Sequence, residues 1–101
     1  MTSVKNLRKL SFLVYGLGLS GKSVVNFLKK KKIKNFLVWD DKNKDLFLNK
    51  RPKNLVEIIN EVDYIILSPG INLNKSRYSK ELIKNKRKIL TDLDLFCLLY
   101  T

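Results

Sequence analysis

Four short, almost wholly apolar runs divide the chain, and each one ends at a glycine, an acid or a turn-forming residue. Runs of this kind, without polar alternation, are typical of strands that are buried on both faces of a parallel sheet. The strands predicted from them are residues 10–15, 36–39, 64–67 and 88–90.

Between these strands, apolar residues recur at helical spacing. The clearest case is Leu55, Ile58, Ile59 and Val62, which follow the i, i+3, i+4, i+7 pattern of one helix face. Alternating strands and helices build parallel β-α-β units, so the predicted fold class is α/β. Helices are predicted from residue 20 or 21 to the lysines at 29–32, over 55–62 and from 76 or 79 to 86, with a last helix or turn over 92–99 and one further helical turn in the polar connection 42–53.

The composition limits the classes of protein that the chain can represent. Its 101 residues suit one compact domain, residues 1–101, and the single cysteine, Cys97, lies in an apolar run that predicts a buried thiol. The chain has no histidine and no acids at metal-ligand spacing, which excludes hydrolytic triads and zinc sites. We therefore expect no catalytic residue and no metal ligand in this chain.

The net charge of +12 raises the question of polyanion binding. The 21 Lys and Arg residues are spread over almost every loop, which favours solvated faces over a specific nucleic-acid site. The chain has no signal-peptide pattern and no apolar run of bilayer-spanning length, so we expect a cytoplasmic protein without membrane insertion.

Residues 10–23 match two phosphate-binding patterns at once. Gly16, Gly18 and Gly21 form the G-x-G-x-x-G dinucleotide fingerprint after a strand, and Gly16, Gly21, Lys22 and Ser23 form the G-x-x-x-x-G-K-S of a P-loop. Both patterns place a phosphate at a helix N-terminus. The chain is short for a P-loop NTPase, and an acid about 20 residues beyond the glycines is typical of the first pattern, which we therefore favour.

Unusual residues follow the other strands as well. Asp40 and Asp41 end the second strand, residues 68–70 (Ser-Pro-Gly) end the third, and Trp39 is expected in the core. In parallel sheets, ligands bind outside the carboxyl ends of the strands, so these residues converge on one candidate site. Each also has a plainer explanation, because Asp caps turns and Pro-Gly forms them.

Four motifs in order resemble the N-terminal domain of bacterial Mur ligases, and in particular the D-glutamate-adding branch of that family. They are the G-L-G-L-S-G loop, the strand ending in Asp40, the S-P-G-I turn at 68–71 and the T-D-L-D-L-F segment at 91–96. The similarity covers about residues 5–98. It implies a Rossmann-like three-layer sandwich with a mostly parallel sheet of four or five strands, since residues 42–54 are short for the strand that the family usually has there.

The resemblance also implies a function. The intact enzyme would add D-glutamate to UDP-N-acetylmuramoyl-L-alanine through an acyl-phosphate in peptidoglycan synthesis, with ATP and Mg²⁺ bound by domains that this chain lacks. This domain, expected to be monomeric and to need no cofactor itself, would hold the UDP part. Residues 18–21 would face the diphosphate and uracil, residues 40–42 the uracil, and residues 68–70 the phosphate side. The implied site comprises Gly18, Leu19, Ser20, Gly21, Asp40, Asp41, Lys42, Ser68, Pro69 and Gly70.

Two features leave alternatives open. Asp41 stands where the family pattern has a small hydroxylic residue, which weakens the expectation for that contact. The same glycines together with Asp40 would also suit a small NAD-binding domain of a dehydrogenase or regulatory protein.

Overall fold

A computed structural model describes residues 8–42 and 47–98 of the chain. Four parallel strands pair in the order β2-β1-β3-β4. The strands are β1 (Phe12–Tyr15), β2 (Phe36–Trp39), β3 (Tyr64–Leu67) and β4 (Ile89–Leu90). The helices are α1 (Leu19–Lys30), α2 (Leu55–Glu61), α3 (Ser79–Lys84) and α4 (Asp92–Leu98), with 3-10 turns at Leu48–Lys50 and Lys86–Lys88.

The sheet separates two apolar cores, because successive side chains of a strand point to opposite faces. Phe12 and Val14 of β1 pack on one face with α1 and with Leu95 of α4. Leu13 and Tyr15 pack on the other face with α2 and α3. Helices therefore cover both faces of the sheet, which confirms the predicted α/β, Rossmann-like three-layer sandwich.

The strands are in register at their carboxyl ends. Tyr15 is paired with Trp39 of β2 and with Leu67 of β3, so the three strands finish at one level. The loops after β1, β2 and β3 consequently leave the sheet side by side. This common edge, which we call the carboxyl edge, is where the sequence places the candidate site.

The four predicted strands and the helices are confirmed to within a few residues, and the described residues form a sheet of four strands rather than five. The helical turn expected in the 42–53 connection is the 3-10 turn Leu48–Lys50, while residues 43–46 of that connection lie outside the described residues.

One expectation was wrong. Cys97 is exposed rather than buried. The inward-facing residue of α4 is Leu95, and two helical steps of about 100° carry position 97 to the opposite side of the helix.

Candidate functional site

The loop between β1 and α1 depends on two glycines for its shape. Gly16 has a φ of +99°, a conformation that L side chains rarely adopt, and a Cβ there would lie 2.8 Å from the Cβ of Ser68. A Cβ on Gly21 would overlap the carbonyl oxygen of Gly16. These two glycines let the loop, the helix and the strand end of β3 pack closely.

Gly18 has a different environment. It is the N-cap of α1, and the nearest neighbour of a Cβ placed there would be the Ser68 Oγ, 3.9 Å away. No side chain of the described residues caps this helix, and its first turn contains no acidic residue. The positive end of the helix dipole and its unpaired N–H groups therefore remain available to an anion in front of Gly18.

The start of α1 separates the two phosphate-loop interpretations. A P-loop wraps the residues between its two glycines around a phosphate before the helix begins. Here α1 begins at Leu19, two residues before Gly21, so Lys22 is already helical and its N–H donates to the Gly18 carbonyl over 3.0 Å. The loop has the short form of the dinucleotide fingerprint, and Leu19 at its tip is 88 % exposed.

The carboxylate of Asp40 joins the end of β2 to the glycine loop. Its Oδ2 accepts a hydrogen bond from the N–H of Leu17 over 2.6 Å, and its Oδ1 accepts one from the N–H of Lys42 over 2.8 Å. Asp40 therefore caps the turn after β2, as Asp commonly does. It also fixes the distance between the phosphate loop and the residues that follow β2.

Asp41, the residue that departs from the family pattern, is bound within the protein. Its Oδ1 accepts a hydrogen bond of 2.8 Å from the Nε1 of Trp39, and its Oδ2 lies 3.4 Å from the Tyr15 hydroxyl. The Tyr15 hydroxyl also shares a 3.0 Å hydrogen bond with the Oγ of Ser76. Burial raises the pKa of Tyr15 to about 12, so the hydroxyl is neutral at physiological pH.

Tyr15 and Ser76 were not identified from the sequence. Tyr15 ends β1 immediately before Gly16. Its hydroxyl is a polar group at the end of an otherwise apolar strand, and this could have marked Tyr15 as a site residue. Ser76 had none, because its partner lies 61 residues away along the chain.

These loops enclose an open cleft of about 310 Å³ at the carboxyl edge. Six of the ten predicted site residues line it, namely Gly18, Asp40, Asp41, Lys42, Ser68 and Gly70, together with Tyr15, Gly16, Leu17 and Ile71. Leu19, Ser20 and Gly21 follow directly in the first turn of α1. Pro69 instead lines a narrow crevice with Gly21 and Asp92.

A second cleft of about 380 Å³ adjoins the first, and Asp41 lines both. Trp39 was expected in the core, but it is only partly buried and forms a wall of this second cleft. The guanidinium of Arg51 stacks 3.7 Å above the Trp39 ring and donates a 3.0 Å hydrogen bond to the carbonyl of Asp40. Arg77 and Tyr78 complete the lining. Trp39 therefore packs at the margin of the core, because β2 is an edge strand of the described sheet.

Within the described ranges, no group of three or more His, Cys, Asp or Glu residues is placed to hold a metal ion. None of the helices that the structure describes has the length and apolar character to cross a membrane.

Comparison with known proteins connects this geometry to one family. Residues 10–90 match the model of the family described as Mur ligase MurD-like, N-terminal domain. Three relatives named UDP-N-acetylmuramoylalanine–D-glutamate ligase show the range of similarity. The protein of Buchnera aphidicola is 40% identical over 95 residues, covering 83% of this chain and 20% of the relative. That of Aquifex aeolicus is 33% identical over 86 residues, covering 85% and 19%. That of Francisella philomiragia is 41% identical over 95 residues, covering 91% and 19%.

The chain thus spans about a fifth of the length of the curated relatives it matches. The family match covers the glycine loop, the strand end at Asp40 and the turn at residues 68–70, which are the motifs that meet at the cleft. The chain belongs to the Mur ligase family, as a MurD-like N-terminal domain.

Proposed function

We propose that residues 1–101 act as a single domain that binds UDP-N-acetylmuramoyl-L-alanine for a D-glutamate-adding ligase of peptidoglycan synthesis. The relatives' names state the two substrates that such a ligase joins. ATP and Mg²⁺ would serve the acyl-phosphate chemistry in the remainder of a full-length enzyme. The isolated chain would bind substrate as a monomer in the cytoplasm without catalysing the reaction.

The observation that carries this proposal is the position of the 310 Å³ cleft in front of an uncapped helix. A diphosphate at Gly18 would accept hydrogen bonds from the free N–H groups of the first turn of α1 and would be stabilised by the helix dipole. Lys42, on the cleft wall, adds a positive charge. The open space around Gly18 is the space that the phosphate would occupy.

The residues after β2 suit a uracil rather than a second phosphate. Asp40 and Asp41 bring two carboxylates to the same cleft, which disfavours further negative charge there but suits the N–H donor of a pyrimidine base. The hydrogen bond from Trp39 directs the Asp41 carboxylate to the wall between the two clefts. Residues 68–70 would then contact the phosphate side of the ligand from β3.

Calorimetric titration with UDP-N-acetylmuramoyl-L-alanine, UDP, NAD and ATP tests the proposal. We expect the first two to bind and the last two to bind more weakly. Gly18→Asp should fold, because Asp is a favoured N-cap, yet its carboxylate would occupy the N–H groups that the diphosphate needs. We expect it to weaken binding of the UDP ligands by at least about tenfold, the equivalent of one unfavourable charge contact.

Asn26→Asp adds the same charge on the exposed middle of the same helix and should leave affinity unchanged within about twofold. Lys22→Ala should also have little effect. NAD binding tighter than UDP binding would instead support the dinucleotide-binding alternative. If Lys22→Ala abolishes ATP binding while Gly18→Asp retains UDP binding, our assignment of the loop is wrong.

A further inference from the structure

The positive charge of the chain is concentrated in its first part. Nine of the 21 Lys and Arg residues lie in residues 1–39, and none of the nine acids does. The later 62 residues hold twelve basic and nine acidic residues. The positive charge is therefore not evenly distributed along the chain.

Three lysines of this part, Lys29, Lys32 and Lys34, together with Lys50 from the later part, surround a shallow depression of about 230 Å³, which we call the lysine surface. Its other lining residues, Ile33 and Phe36, are apolar, and none of the acids in residues 8–42 and 47–98 lines it. It lies where α1 ends and β2 begins, at the edge of the sheet opposite the cleft.

The lysine surface is too distant to serve the substrate cleft. The 12 residues of α1 separate the two, a length of about 18 Å at 1.5 Å per residue. That is about twice the Debye length of roughly 8 Å at physiological salt, so these charges contribute little at the cleft. Proximity to the UDP ligand does not account for them.

Local contacts position two of the four ammonium groups. The Nζ of Lys29 lies 4.8 Å from the centre of the Phe47 ring, and the Nζ of Lys50 lies 4.7 Å from that of Phe36. Lys50 also donates a 3.1 Å hydrogen bond to the carbonyl of Lys34. Two of the four charges of the surface are thus supported by aromatic rings.

The chemistry of this surface distinguishes between polyanions. Phe36 is only 4% exposed, and Phe47 packs against the core with an ammonium over its ring, so neither offers a free face on which a nucleic-acid base could stack. The rim consists of lysines, which bind anions as point charges, without the arginine fork that reads phosphate geometry. Leu48, in the turn between Phe47 and Lys50, is 62% exposed. Basic residues beside an exposed aliphatic side chain match the requirements of an anionic lipid surface.

We propose that the lysine surface docks the chain peripherally on anionic phospholipid membranes. Docked in this way, the chain rests on the membrane by the edge opposite its ligand cleft. The carboxyl edge then faces the aqueous phase, so membrane contact and ligand entry are compatible.

Cosedimentation with vesicles tests this proposal on the whole 101-residue chain. We expect binding to vesicles of phosphatidylglycerol and phosphatidylcholine but not to phosphatidylcholine alone. Raising the salt from about 0.1 M to about 1 M shortens the Debye length from about 10 Å to about 3 Å and should release the chain. Each lysine near an anionic surface contributes about fivefold in affinity, so the triple variant Lys29→Gln, Lys32→Gln, Lys34→Gln should bind on the order of 100-fold more weakly.

The matched control is Lys80→Gln, Lys84→Gln, Lys86→Gln, which removes the same charge from exposed positions on and after α3. It should bind nearly as well as the unmodified chain, and circular dichroism should show both variants folded. Leu48→Ser should weaken vesicle binding without changing its salt dependence. Equal losses in the two triple variants, or binding to a DNA duplex but not to anionic vesicles at 0.15 M salt, would overturn the proposal.

Discussion

Replacing Gly21 with alanine tests how closely the glycine loop approaches α1. Gly21 lies in the first turn of the helix, where alanine is ordinarily more stable than glycine by about 1 kcal/mol. Here, however, the added Cβ would overlap the carbonyl oxygen of Gly16 and lie 2.9 Å from its carbonyl carbon. Both atoms are backbone, and Gly16 is held by a 2.7 Å hydrogen bond from its N–H to the carbonyl of Trp39.

The steric cost of the added methyl group should exceed the gain in helix propensity. Forcing an extra methyl against fixed neighbours costs about 1–3 kcal/mol and occasionally more. Because backbone atoms cannot rotate aside as a side chain does, we take the upper end of that range, about 3 kcal/mol, and expect Gly21→Ala to lower stability by about 2 kcal/mol after the propensity gain is subtracted.

Gly18→Ala is the matched control. A Cβ at this position meets only the Ser68 Oγ at 3.9 Å, and Gly18 has an ordinary φ of −68°. Alanine is a poorer N-cap than glycine but restricts the unfolded chain more, and these opposing effects of about 0.5–1 kcal/mol nearly cancel. Its stability should therefore change by less than about 0.5 kcal/mol, even though the added methyl intrudes on the proposed phosphate position.

Urea denaturation followed by far-UV circular dichroism measures both variants. With a slope of about 1–2 kcal/mol/M for a domain of this size, the Gly21→Ala midpoint should fall by about 1–2 M. Equal midpoints for the two variants would refute the close approach of helix and loop. A lower midpoint for Gly18→Ala than for Gly21→Ala would show that the roles of the two glycines are reversed.

Three further predictions follow from single contacts. Tyr15→Phe removes the hydroxyl bonded to Ser76 and should lower stability by about 1 kcal/mol. Because the pKa of Tyr15 is raised to about 12, the unmodified chain should also lose stability relative to the variant as the pH rises from about 10 to about 12. A constant difference between the two in thermal denaturation across that range would contradict the burial of the hydroxyl. Lys88→Met removes hydrogen bonds of 2.8 Å and 3.0 Å to two carbonyls at the end of α2 and should cost about 1 kcal/mol in chemical denaturation, whereas the exposed Lys84→Met should cost less than about 0.5 kcal/mol. Cys97 should react with a thiol reagent in the native state about as fast as in urea, and Cys97→Ser should change stability by less than about 0.5 kcal/mol; protection of the native thiol would contradict its exposure.

The sheet could be predicted because its determinants are local. β1, β2 and β3 are apolar at consecutive positions, and each is followed by residues that cannot continue a buried strand. Their parallel arrangement then follows from the helical segments between them. The cleft could be predicted in outline for the same reason, because parallel strands that end at the same edge of a sheet bring the loops that follow them together.

Side-chain partners could not be predicted in the same way, because they depend on distances in space. The sequence predicts that Asp40 contacts a ligand or caps a turn, but the hydrogen bond from the N–H of Leu17 to its carboxylate depends on two loops that lie side by side only in the folded chain. Trp39 looked like a core residue because it is large and follows an apolar run, but β2 is an edge strand of the described sheet. Its indole is covered by Arg51 from a loop whose path the sequence does not specify.

The central position of β1 has a consequence for how the chain folds. β1 precedes β2, β3 and β4 in the chain, yet β3 covers one of its sides, and the hydrogen bond between the N–H of Ser11 and the carboxylate of Asp63 spans 52 residues. Contacts of such sequence separation form late, after a large loss of chain entropy. A nascent chain that ends before β3 can pair β1 only with β2, and it leaves an apolar strand with one unsatisfied edge, the arrangement that promotes aggregation. The addition of β3 pairs the second side of β1, so we infer that residues up to Glu61 do not fold as an independent unit.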